Sequence, residues 1–137
     1  MLDKTVTLGL LVAGALAGTL SIAGCGGGSN PPIIDDSSLV VVCSPVGEDY
    51  EWVFEALVDD PDGYEDVAAV YVNVYEAGGE DALERLDLEY ESNGKWSLNV
   101  LESATISLDC EQKEGLEFDF WAEDVAGDTD SVTTLAQ

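Results

Sequence analysis

The chain has 137 residues, room for one ordinary domain once a leader and a linker are set aside. Its 29 acidic residues against four basic ones give a formal net charge of −25, so phosphate backbones and anionic headgroups are repelled and nucleic acid is excluded as a partner. The sequence contains no histidine, which removes the commonest general base and transition-metal ligand, while three Trp, five Tyr and three Phe supply enough apolar mass for a core.

Residues Met1 to Thr5 are polar, with Lys4 beside Asp3, and an apolar run rich in Gly and Ala follows from Val6 to Ala23. This pattern reads as a secretory leader rather than a retained transmembrane helix. The run ends in Ile22-Ala23-Gly24-Cys25, an aliphatic residue, two small residues and a cysteine, which resembles the lipobox of bacterial lipoprotein precursors. The resemblance implies that 1–24 is a signal peptide, cut between Gly24 and Cys25, and that the Cys25 thiol carries a diacylglyceryl unit. Each buried methylene contributes about 0.8 kcal/mol, so two or more acyl chains anchor stably where one does not. The expected location is the bacterial cell membrane or outer membrane, with the membrane as partner through the lipid on Cys25. Gly26 in place of Asp after the cysteine permits the outer membrane.

Residues 25–38 begin Cys25-Gly26-Gly27-Gly28-Ser29-Asn30-Pro31-Pro32 and carry Asp35 and Asp36. Their composition predicts a flexible acidic tether, able to hold a domain on the order of 20 Å from a bilayer. Without Asp3 and Lys4, 28 acids face Arg85, Lys95 and Lys113. Three readings of that acidity remain open: solubility, adaptation to a salty medium, and local divalent-cation sites.

From Leu39 the apolar residues recur with a period of two, which predicts seven strands over 39–137. The first is Leu39 to Cys43. The second, Glu51 to Asp59, places Trp52, Phe54, Ala56 and Val58 on one face. Val67 to Glu76 aligns Val70, Val72 and Val74. Leu83 to Tyr90 aligns Leu86, Leu88 and Tyr90, and Lys95 to Leu101 aligns Trp96, Leu98 and Val100. The sixth alternates Leu116, Phe118, Phe120 and Ala122 with Glu117, Asp119 and Glu123, and Ser131 to Ala136 closes the domain. Turn signals separate them at Asp60-Pro61-Asp62-Gly63, Ala77-Gly78-Gly79, Ser92-Asn93-Gly94 and Val125-Ala126-Gly127-Asp128. About seven strands in about 100 residues is the pattern of a single all-β, antiparallel immunoglobulin-like sandwich.

The stretch from Phe54 through Asp59-Asp60-Pro61-Asp62-Gly63 to Val74 resembles the B to C hairpin of bacterial immunoglobulin-like and fibronectin type III-like domains. Phe120-Trp121-Ala122-Glu123-Asp124-Val125-Ala126-Gly127-Asp128 is similar to their F to G turn. Cys43 precedes the second strand, so an antibody-type disulfide is not reproduced. With Cys25 lipidated, Cys43 and Cys110 have only each other, and in an oxidising compartment they are expected to pair.

In such a sandwich the two acidic turns share one end, and Asp59, Asp60, Asp62, Asp124, Asp128 and Asp130 become candidate calcium ligands, with Glu65 and Asp66 further acids of the same loop. Against this stands ordinary Asp-Gly turn chemistry with solvated carboxylates, since neither loop has EF-hand spacing. Trp52 and Trp96 belong to the core faces. Trp121, with Tyr71 and Tyr75, falls on the outward set and is a candidate strip for an envelope protein or a carbohydrate. No phosphate loop, nucleophile elbow or metal-binding cysteine pair is present. The resulting expectation is a membrane-anchored, non-catalytic envelope lipoprotein with a binding or structural module that requires no cofactor. The alternative is a calcium-dependent adhesion or assembly domain, with calcium as its cofactor. A carboxylate-dependent glycan-active enzyme is the remote one.

Overall fold

The computed structural model describes residues 29–137; the leader and the lipobox residues Gly24 and Cys25 lie outside the described residues. Nine strand segments alternate along the described chain: β1 (Ile33–Ile34), β2 (Val40–Val46), β3 (Asp49–Asp59), β4 (Val67–Glu76), β5 (Glu84–Asp87), β6 (Glu89–Ser92), β7 (Lys95–Leu101), β8 (Leu116–Asp124) and β9 (Thr129–Leu135). All pairings are antiparallel. One sheet runs β6-β7-β3, with β2 and β1 following one another along β3, and the other runs β5-β4-β8-β9. No helix among the described residues is long and apolar enough to cross a membrane.

The two sheets stack because each strand's period of two gives it one apolar face. Trp52, Phe54, Ala56 and Val58 of β3 are buried against Val70, Val72 and Val74 of β4 and Phe118, Phe120 and Ala122 of β8. Trp52 and Phe54 each lie 5.7 Å from the Phe118 ring, so the centre of the core is aromatic. The faces are those the alternation predicts except at Tyr90, expected beside Leu86 and Leu88 but 47% exposed on the edge strand β6, its ring set edge-on to Trp96 at 5.3 Å; Trp52 and Trp96 are both in the core.

Two expected elements differ. The strand predicted over Leu83 to Tyr90 is divided at Leu88, with β5 paired to β4 and β6 paired to β7 in the opposite sheet. Leu88 is buried at the crossing and its amide donates to the Val70 carbonyl at 2.9 Å. The sequence alternation runs on unbroken through this switch because it encodes which way a side chain faces, not which strand it pairs with. The second difference is at the expected tether, where residues 29–38 pack on the sandwich. Pro32 and Ile34 are buried, Ile33 and Ile34 pair with Asp59 and Val58, and Asp35 caps a 3-10 turn over Asp36–Ser38 by accepting the Ser37 amide at 3.0 Å.

The bridge between Cys43 and Cys110 joins β2 to the 3-10 segment Cys110–Gly115 that leads into β8, with Cα atoms 6.0 Å apart. Glu102 ties the same region to the core, its carboxylate accepting from the Trp52 indole at 3.1 Å and from the Cys110 amide at 2.7 Å.

The β6–β7 turn depends on a single glycine. Asn93 and Gly94 have φ of 49° and 78°, the pair of positive values a tight hairpin turn requires. The Gly94 carbonyl accepts the Val58 amide at 2.8 Å, and a Cβ on Gly94 would meet the Val58 carbonyl oxygen at 2.5 Å and the Tyr64 ring at 2.8 Å. Gly94→Ala is therefore expected to cost about 2 kcal/mol or more, from the left-handed backbone and the displaced β3 edge together. Urea unfolding of the variant measures it; an unchanged midpoint would contradict this turn geometry.

Candidate functional site

The β3–β4 and β8–β9 turns meet at one end of the sandwich, where the Val125 amide donates to the Asp66 carbonyl at 2.8 Å. The Asp60-Pro61-Asp62-Gly63 sequence folds as a turn because Asp60 supplies its own acceptors. Its Oδ1 takes the Asp62 amide at 2.8 Å and its carbonyl takes the Gly63 amide at 2.9 Å. Gly63, at φ 116°, then turns the chain into the 3-10 segment Tyr64–Asp66. This places one carboxylate oxygen from each of Asp60, Asp62 and Asp66 within 4.8 Å of one another. Asp60 is only 4% exposed, and its Oδ2 is buried without a hydrogen-bond partner among the described residues.

Asp124 organises the facing turn. Its Oδ1 accepts the amides of Ala126 at 2.9 Å and Asp128 at 2.8 Å, and its Oδ2 accepts the Ser29 hydroxyl at 2.6 Å. At 2% exposure this carboxylate is as buried as a core residue. The Ser29 hydroxyl, followed by the amides of Asp128, Ala126 and Gly127, holds its pKa below the usual value against the opposing effect of burial. Asp66 is shifted the other way. Loss of hydration raises its pKa, and the negative charges of Asp60, Asp62, Asp124 and Glu65 raise it further.

Of the six acids expected as ligands, the structure gathers two, Asp60 and Asp62, and adds Asp66. Asp124 is committed to its own turn and to Ser29. Asp130 Oδ2 accepts the Ile34 amide at 2.8 Å, Asp59 is exposed on β3 opposite Ile33, and Asp128 is exposed, its amide bonded to Asp124. Sequence reasoning did not include Ser29 and Asn30 in this site, although the Asn30 amide donates to Asp62 Oδ2 at 2.9 Å. Nothing local in a Gly-Pro-rich segment signals such a contact, because it is made across 32 and 95 positions of the chain.

The aromatic strip lies on the outer face of the other sheet. Tyr71 and Trp121 are cross-strand partners stacked at 6.4 Å with ring planes 2° apart, and the Arg85 guanidinium covers the free side of Tyr71 at 3.6 Å. The Trp121 indole donates to Asp119 at 2.6 Å, and Arg85 pairs with Asp87 at 2.8 Å. Tyr75 sits four residues along β4, opposite Glu117. All three expected aromatics are half-buried.

No protein-family model and no curated protein matches this chain.

Proposed function

We propose that the chain is an exported, lipid-anchored, non-catalytic module of the cell envelope, its sandwich of the immunoglobulin-like class. The observation that carries the reading is the Cys43–Cys110 bridge, since stable disulfides belong to oxidising compartments outside the cytosol. It consumes two of the three cysteines and leaves Cys25 alone, at the end of an apolar leader, in the sequence Ile22-Ala23-Gly24-Cys25. The strand order supports the class: β2-β3-β7-β6 over β5-β4-β8-β9 follows the ABED over C′CFG order of immunoglobulin-like sandwiches. In this reading the stacked Tyr71 and Trp121 face an envelope protein or a carbohydrate, and the acids spread over the rest of the surface serve solubility.

The test is Cys25→Ala expressed in a bacterial host fed a labelled fatty acid. The wild type is expected to incorporate label and fractionate with membranes. The variant is expected to lose both while the domain's melting midpoint stays unchanged. Label retained in the variant, or a domain that fails to fold, would overturn the proposal.

A further inference from the structure

We propose that Asp60, Asp62 and Asp66 form a binding site for a hard divalent cation, calcium by preference. The site does not depend on whether Cys25 carries lipid. Two oxygens on opposite sides of a calcium ion, each bound at about 2.4 Å, are about 4.8 Å apart, so three carboxylate oxygens within that mutual distance can share one centre. The second observation is independent of the clustering. Asp60 Oδ2 is a carboxylate oxygen withdrawn from water with no donor facing it among the described residues, and a buried acceptor of this kind costs free energy until a partner arrives.

The chain's own described bases are engaged elsewhere and cannot be that partner. Arg85 is held between Asp87 and the Tyr71 ring, Lys95 pairs with Glu55 at 2.9 Å and Glu91 at 3.4 Å, and Lys113 donates to the Gln137 carbonyl at 2.6 Å. A cation from solution would supply the partner that the described bases do not. All-oxygen donors select hard cations over transition metals. Three carboxylates of unequal burial, on a turn of irregular shape, suit the variable coordination of calcium better than the strict octahedron of magnesium. The exposed side, at Asp62, leaves room for water to complete the shell.

Asp60→Asn and Asp66→Asn separate this site from general charge screening. Asparagine at position 60 keeps the oxygen that accepts the Asp62 amide, and the Asp66 carboxylate accepts no hydrogen bond among the described residues, so both variants retain the turn. The full-length chain, purified in detergent, is titrated with calcium chloride by calorimetry and melted with calcium or with chelator at matched ionic strength. The wild type is expected to bind one calcium with Kd on the order of 10⁻⁴ M, within a decade of the range of extracellular modules. Its midpoint should rise by on the order of 10 °C at millimolar calcium. Each variant is expected to bind at least about tenfold more weakly, and Asp66→Asn to melt no lower than the wild type in chelator, because it removes repulsion without removing a bond. Should one of the two fail to fold, the other decides. No binding heat in the wild type, or an equal calcium-induced rise in the wild type and the variants, overturns the site.

Discussion

Replacing Cys43 and Cys110 together by alanine is expected to destabilise the domain by about 4 kcal/mol and to lower its Tm by on the order of 20 °C. The bridge spans 67 positions, so its loss frees a long loop in the unfolded chain. The native state feels the loss at one place. Between β7 and β8 the chain has only short 3-10 turns, and Leu108 is the one apolar side chain of that segment that is buried. The rest is held by polar contacts to neighbouring acids: Glu84 receives the amides of Ile106 at 3.0 Å and Ser107 at 3.1 Å, and Glu102 receives Cys110. Without the bridge this segment should open first. Total stability for a domain of this size is about 5–15 kcal/mol, so the variant should unfold at markedly lower denaturant. Guanidinium unfolding of the wild type with and without reductant, beside the double variant, measures the effect. A wild type indifferent to reductant would show that the bridge does not form.

How much of this was legible in the sequence depended on how far apart the deciding contacts lie. The bounds of β4 and β7 match expectation residue for residue, because Val70-x-Val72-x-Val74 and Trp96-x-Leu98-x-Val100 alternate cleanly between turn signals. β1 was hidden because two isoleucines are too few to show a period, and their partners, Val58 and Asp59, lie far along the chain. The division at Leu88 was hidden because a period of two is the same in either sheet. At the acidic end, Asp60 and Asp62 could be read from Asp-Pro-Asp-Gly, whereas Asp66 could not be told from Glu65 or Asp59 until the 3-10 turn placed it. Asp124 was legible as an acid, but its work for the turn's amides and for Ser29 was not, since each depends on which oxygen faces which donor. Tyr71 and Trp121 were correctly placed outward by register. Their stacking needed the pairing of two strands 50 residues apart.

The register that sets those faces can itself be tested on one strand. Phe118 is 0% exposed and packs at 5.7 Å against both Trp52 and Phe54, making the contact between sheets that centres the core. Phe118→Ala removes a whole ring from a space that neighbouring β-strands cannot collapse to fill, and is expected to cost about 4 kcal/mol. The tilted ring pairs contribute about 0.5–1.5 kcal/mol of interaction beyond buried area, which places the loss toward the upper part of the usual range. Trp121 lies three residues later on the same strand and on its opposite face. Although it is the larger side chain, Trp121→Ala removes one stacked partner and one bond to Asp119 from a half-hydrated surface, and about 1 kcal/mol is expected. Denaturant unfolding followed by far-ultraviolet circular dichroism compares the two without relying on Trp fluorescence. A slip of one residue in the pairing of β8 with β4 would exchange the two faces of the strand, so losses of equal size, or in the reverse order, would mean that Phe118 does not face β3.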